Sequence, residues 1–567
     1  MIFPTIRFAI FFAIVLPLSW LLMPVHDARP ARSRVTQRLL VGLTLLAAAL
    51  ALDGPLGLNG GVAHPVVLAL AAAGALLTLL ALAAADGFSR WKVFILGASY
   101  FFYGAYSWHF AALLAVSTLA NQAFSRGFKR LDREQARKAL LFVAVAANLG
   151  VLAWFKYRGF FVESASNIFT PLGWHIRPPL FEVLPPVGIS FFTFQALSYV
   201  IDVYRRKIEP VAMLDFAVYL SFFPHVVAGP IVRAYEFLPQ LKERRDSRQV
   251  DAGLAFWLIA AGLFKKVVIS SFLAAQIADP VFKSPSQHGG FEALLGIYAY
   301  AIQIYCDFSG YTDMAIGIAL LLGFRFPQNF DAPYSAVSLQ DFWRRWHMTL
   351  SRWLRDYLYI PLGGNQGSRW KAYRNLFLTM LIGGLWHGAA WTFVAWGALH
   401  GGGMAIGRFV EDRRKERADG LRVEVHGREV VEAAVAAPLR FANRLADGVI
   451  VCGEAIPEKA RPWLKRLWTF HLVCLGWVFF RATSINNAFQ VLGRLFHGGG
   501  AAIDLMVPVA IVAFIATQYV PPKVVGHWQA LFSRLEAWQQ AVMLATWLVI
   551  SNVLGPQGVA PFIYFQF

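Results

Sequence analysis

The chain has 567 residues, 57% of them hydrophobic and 15% charged, with a formal net charge of +19. A soluble protein of this length would expose far more charge, so the composition excludes an ordinary soluble enzyme and places the chain in a membrane. The excess of Lys and Arg has no aromatic-lined soluble module beside it, which sets nucleic-acid binding aside.

Apolar blocks long enough to cross a bilayer occur at residues 8–25, 66–85, 256–275, 377–398 and 506–520, the third interrupted by Lys265 and Lys266. Each span takes roughly 20 residues, and the pattern predicts an all-α, polytopic membrane protein with roughly 11–14 spans plus re-entrant and amphipathic helices. Only Arg7 precedes the first block and no small-residue cleavage site follows Val25, so it reads as a retained span. Basic residues cluster between blocks, at Arg29, Arg32, Arg34 and Arg38 and again at Arg126, Lys129, Arg130, Arg133, Arg137 and Lys138. Residues 53–65 contain neither Lys nor Arg, so alternation places Met1 outside, the Arg29 loop in the cytoplasm and the Asp53 loop outside.

Residues 1–155 read as transmembrane scaffold, Ala/Leu-rich hairpins without obvious chemistry. Residues 156–408 form the core. Between about 185 and 403, Gly, Pro, His, Asp and Arg interrupt the apolar runs, as in Phe223-Pro224-His225. Polar and helix-breaking residues survive at membrane depth only where protein or a wet cavity satisfies them, so a site is expected there. Residues 409–466 read as a charged amphipathic insertion at the cytoplasmic face, and residues 467–567 as C-terminal spans. Cys306, Cys452 and Cys474 are far apart in apolar sequence, without metal-ligand spacing, and read as reduced packing residues.

Three segments could carry chemistry. Asp307-Phe308-Ser309-Gly310-Tyr311-Thr312-Asp313 puts two carboxylates at membrane depth. Two ligands without a histidine cluster make a poor metal site, and the expected role is to cap a helix starting near Thr312 and to pair with the Arg-rich segment that follows. That segment, 341–359, reads DFWRRWHMTLSRWLRDYLY. Trp343, Trp346, Leu350, Trp353 and Tyr357 recur at helical spacing, and Arg344, His347, Ser351 and Arg355 form an adjacent face. Two readings stand for this one helix: a membrane-surface anchor with snorkelling arginines, or the wall of a channel where arginines meet phosphates or a thioester carbonyl. His387, within Gly383-Gly384-Leu385-Trp386-His387-Gly388, is the one ionisable residue in block 377–398. A neutral imidazole able to accept a proton is expected there, with a hydrogen-bonded interhelical histidine as the alternative. No nucleophile elbow or glycosidase carboxylate pair is evident.

The stretches 307–334, 341–367 (DFWRRWHMTLSRWLRDYLYIPLGGNQG), 381–391 (LIGGLWHGAAW) and 470–482 (FHLVCLGWVFFRA) resemble the membrane-bound O-acyltransferase family. More narrowly they are similar to its branch that acetylates alginate and other bacterial exopolysaccharides. The resemblance implies a helical bundle with a central funnel or tunnel, a catalytic His387 and a second family-typical His347. Trp343, Arg344, Arg345, Trp346, Ser351, Arg352, Arg355, Asp307, Ser309, Tyr311 and Trp386 are the matching candidates for the donor and substrate path. It also implies a multi-pass protein of the bacterial inner membrane that binds no cofactor and no metal, surrounded by lipid. Acetyl-CoA would serve as cytoplasmic donor, a polysaccharide as acceptor, and an SGNH-type periplasmic acetyltransferase as partner. The helices near 39–88 and the long stretch 409–466 depart from the pattern and leave the acceptor open among alginate, cellulose, peptidoglycan, teichoic acid, a lipid or a protein. A transporter would show two matching halves, and the chain shows one polar core with unlike ends.

Overall fold

A computed structural model describes residues 3, 5–23, 87–173, 185–243, 245–424, 456–500 and 503–554. The loop 53–65, the block 66–85, the basic run 29–38 and most of the predicted insertion lie outside the described residues. Among those described, every regular element is helical. In chain order the helices of seven residues or more are α1 (Ile6–Leu22), α2 (Gly87–Gly104), α3 (Trp108–Arg130), α4 (Glu134–Leu152), α5 (Arg158–Phe169), α6 (Ile189–Tyr204) and α7 (Met213–Ser221). Then come α8 (Ala252–Phe264), α9 (Gly290–Leu321), α10 (Leu339–Arg345), α11 (Met348–Leu354), α12 (Arg369–His387), α13 (Trp391–Glu424), α14 (Arg461–Arg481), α15 (Ile485–Arg494), α16 (Met506–Thr517), α17 (Pro522–Ser533) and α18 (Ala537–Leu554).

Two continuous helical stretches among the described residues, Glu134–Leu172 and Ala252–Lys283, are long and apolar enough to cross a membrane. A third is added if α16 and α17, bent by 94°, are one broken span. Predicted block 377–398 is not a single span. Gly388 takes an extended conformation, φ −158° and ψ 153°, which ends α12 at His387 and lets α13 fold back as a hairpin. A Cβ on Gly388 would lie 2.0 Å from the Phe393 ring, so only glycine fits the reversal. The predicted helix 341–359 is also broken. His347 adopts the left-handed region, φ 43° and ψ 54°, between α10 and α11, and both the aromatic and the polar stripes end there.

The chain divides into two compact units. The first comprises Met1–Val268, Asp307–Pro327 and Val525–Ala560; the second, Ile269–Cys306, Gln328–Val524 and Pro561–Phe567. In the first, α1 is held to α2 by the Trp91 indole, which donates to Ser19 Oγ at 2.8 Å. Helix α8 crosses the second half of α9 at glycines: a Cβ on Gly262 would lie 2.5 Å from the Gly310 carbonyl oxygen. Beyond that crossing α8 widens into a π-helical turn, Lys265–Ser270. Its lysines clasp α9, Lys265 on Asp313 and Lys266 on Asp307, with Lys265 also donating to Ser309 at 3.1 Å. The expected capping role is thereby corrected, since α9 runs straight through Thr312. The pairing partners are corrected too, from the arginines after residue 341 to lysines of α8. Such burial of charge at close helix contact requires partners, and the two lysines supply them.

In the second unit α12 and α13 approach closely along a glycine seam. A Cβ on Gly384 would lie 2.4 Å from the Phe393 carbonyl, on Gly397 2.7 Å from that of Met380 and on Gly401 2.9 Å from that of Phe377. The charged run that begins the predicted insertion continues α13 as one helix to Glu424. There Asp412 accepts from Tyr373 of α12 at 2.9 Å and pairs with Arg408 at 3.2 Å.

Candidate active site

Three buried histidines of the second unit are linked by two indoles, Trp386 between His347 and His387 and Trp396 between His387 and His400. His387, the last residue of α12, has its ring edge-to-face with Trp386 at 5.0 Å, Trp396 at 5.1 Å and Phe480 at 5.3 Å between centroids. The adjacent hairpin reversal places this ring where helix and turn meet, not mid-span as the sequence suggested. A helix C-terminus favours positive charge, which suits an imidazole that takes up a proton.

His347 is fully buried, and Trp386 is edge-to-face with it at 6.1 Å, so one indole joins both predicted histidines. Its Nδ1 lies 3.2 Å from Asn329 Oδ1, which also accepts from the Thr349 backbone N–H at 3.1 Å and from Thr349 Oγ1 at 2.8 Å. The backbone N–H can only donate, so the shared atom is the amide oxygen. Neutral His347 therefore donates from Nδ1 and carries its basic lone pair on Nε2. The neighbouring backbone repeats the grip: Met348 N–H donates to the Asn329 carbonyl at 2.9 Å, and Asp331 N–H to that of Arg345 at 2.9 Å. This clamp holds His347 in a conformation that costs roughly 1–3 kcal/mol and is frequent at active sites.

His400 of α13, also fully buried, accepts the Trp343 indole N–H at its Nδ1, 3.3 Å away. Asn329 and His400 went unselected in the sequence. Asn329 lies in a short polar stretch whose long-range partner no local pattern reveals. The available signal for His400 was an ionisable residue beside Gly401, Gly402 and Gly403 in an apolar helix.

The other candidates are dispersed. Trp343 and Trp346 are buried in the aromatic cluster, Trp346 against Trp477 at 4.9 Å, and Ser351 Oγ donates to the Trp346 carbonyl at 3.3 Å. Arg344 and Arg355 are exposed, while Arg345 and Arg352 are half-buried. Arg345 pairs with Asp341 at 3.0 Å and Arg355 with Asp356 at 2.7 Å. Asp307, Ser309 and Tyr311 belong to the first unit, where Tyr311 stacks on Phe3 at 4.5 Å. Among the described residues no group of three or more His, Cys, Asp or Glu could hold a metal ion.

A membrane-embedded helical fold with buried histidines gathered around a tryptophan-rich helix hairpin defines the class. The chain belongs to the membrane-bound O-acyltransferase family, which it matches over residues 95–413, and it is an O-acyltransferase. It is 35% identical to the probable alginate O-acetylase AlgI of Pseudomonas putida, over 84% of this chain and 94% of that protein. The AlgI of Azotobacter vinelandii is 40% identical over 72% of this chain and 73% of its own length. The peptidoglycan O-acetyltransferase of Helicobacter pylori is 34% identical over 73% of this chain and 75% of its own.

Proposed function

We propose that this enzyme is a multi-pass protein of the bacterial inner membrane that moves an acetyl group from cytoplasmic acetyl-CoA toward hydroxyls of an extracytoplasmic polysaccharide. His387 is the general base. The observation that carries this reading is the buried imidazole at the end of α12, one indole away from a second, tautomerically fixed imidazole. The acceptor oxygen attacks the thioester carbon as its proton passes to His387. The tetrahedral intermediate then expels the thiolate, C–S breaks, and the proton returns to sulfur. His347 assists through Nε2, and the exposed arginines near α10 and α11 hold the donor's phosphates. The names of the relatives favour acetyl transfer to a glycan. Those from Pseudomonas and Azotobacter favour an alginate-like exopolysaccharide, and that from Helicobacter supports peptidoglycan as the second reading. An SGNH-type periplasmic acetyltransferase is the partner in this process.

The test is acetyl transfer from labelled acetyl-CoA by purified His387→Gln protein of unchanged thermal stability, with exopolysaccharide and peptidoglycan fragments as parallel acceptors. A loss of about 10²–10⁴ in rate is expected for a general base. Activity within about threefold of wild type would remove His387 from the mechanism. For the donor end, Arg344→Ala and Arg355→Ala should raise the KM for acetyl-CoA more than they lower kcat; equal losses in both would refute ground-state phosphate binding.

A further inference from the structure

We propose that His400 is a positioning residue for acyl transfer: by accepting the Trp343 indole proton it fixes the aromatic wall against which the His387 imidazole rests. The inference depends on His387 being the base.

The linkage is short and wholly buried. Trp396 stands between the two histidines, its ring 5.1 Å from that of His387 and 4.8 Å from that of His400. Trp343 meets Trp396 edge-to-face at 5.6 Å. The hydrogen bond from Trp343 Nε1 to His400 Nδ1 therefore ties α10 to α13 directly behind the ring that faces His387. An indole N–H can only donate, so Nδ1 carries the lone pair and neutral His400 has its proton on Nε2. The far side of the ring is closed by Gly476 of α14, where a Cβ would lie 2.5 Å from His400 Nε2 and 3.5 Å from Trp396 Cδ1. His400 is thus held by an indole on one edge and faces bare backbone on the other.

This geometry separates a positioning role from two alternatives. A second general base needs a free lone pair facing an acceptor hydroxyl, but the lone pair of His400 is occupied by Trp343. A mere space-filler would be as well served by leucine, which leaves the buried Trp343 N–H without an acceptor. A buried donor in that state moves to regain a partner. Its movement shifts Trp396, and His387 loses its alignment; sub-ångström to 1 Å errors at a reacting group cost up to about 10²-fold in rate.

The experiment compares His400→Asn, His400→Leu, Trp343→Phe, the Trp343→Phe/His400→Leu double variant and His387→Gln in purified protein. Asparagine keeps an acceptor oxygen near the place of Nδ1, so H400N should retain kcat within about threefold of wild type. H400L and W343F should each lose about 10- to 100-fold in kcat with the acetyl-CoA KM little changed, and the double variant should lose no more than the worse single one. The pH–rate profile of the residual activity should keep the wild-type limb, because the titrating base is still present. An H400N as inactive as H400L, additive losses in the double variant, or a vanished limb would each overturn the inference. If H400L does not fold, W343F and H400N carry the same comparison. Activity in H387Q would instead sink the base assignment itself, so the two failures are told apart by that one variant.

Discussion

A single amide oxygen sets the chemistry available at His347. Because Asn329 Oδ1 holds Nδ1–H, the ring offers Nε2 and nothing else, and the left-handed backbone at 347 is tolerated only while that clamp exists. Asn329→Ala should therefore destabilise the protein by about 1–3 kcal/mol, the usual consequence of removing a buried acceptor, and should lower activity in parallel with His347→Ala. Comparing two variants at 347 isolates the strain. His347→Ala and His347→Gly should both be inactive in acetyl transfer, yet the glycine protein should be the more stable by roughly 1 kcal/mol in thermal or denaturant unfolding, since glycine adopts φ 43° freely. An alanine variant at least as stable would mean that the backbone at 347 relaxes once its ring is gone.

Helix contacts in this protein are built from bare backbone and from paired charge, and each makes its own prediction. On α13 the seam residue Gly397 abuts the Met380 carbonyl, whereas Gly402, five residues on, has nothing within 4 Å. Gly397→Ala should cost about 1–3 kcal/mol of stability in unfolding measurements, and Gly402→Ala should be neutral or slightly stabilising. Similar effects at both positions would contradict the seam. Between α8 and α9, Lys266→Met alone removes the cation beside the buried Asp307 carboxylate and should cost about 3–5 kcal/mol, while the double change Lys266→Met/Asp307→Leu should recover most of it. These elements also show what sequence can convey. The core's polar texture and His387 were legible because an ionisable residue in an apolar run is costly wherever it sits, and His347 stood out by its place on a polar helical face and by the family motif around it. The breaks at His347 and Gly388 were not, because helical periodicity passes through a one-residue reversal without a visible phase error. What fixes those breaks, Asn329 eighteen residues from His347 and the Phe393 ring against Gly388, is tertiary. The lysine partners of Asp307 and Asp313 were missed likewise, being 41 and 48 residues away in sequence.

As a whole the protein needs an apolar solvent. Phe142 of α4, Phe161 of α5 and Val553 of α18 are 74%, 60% and 75% exposed, a pattern that acyl chains satisfy and water does not. Each compact unit is assembled from segments far apart in the chain, and this has a consequence for biosynthesis. In the first unit the Trp547 indole of α18 donates to the Ala260 carbonyl of α8 at 3.0 Å and rests on Phe264 at 4.8 Å, while Ser533 fills the space beside Gly253. Helix α8 thus leaves the ribosome nearly 300 residues before the helix that covers it. Until then its face must be shielded by lipid, by the insertion machinery or by a chaperone, and a chain stopped near residue 524 would display that face permanently. Membrane proteases that sense unsatisfied helix surfaces would find their degradation signal there. In pulse-labelled cells a stop after residue 524 should therefore shorten the half-life of the whole polypeptide, while Trp547→Phe, which keeps the ring and loses the hydrogen bond, should leave it near normal.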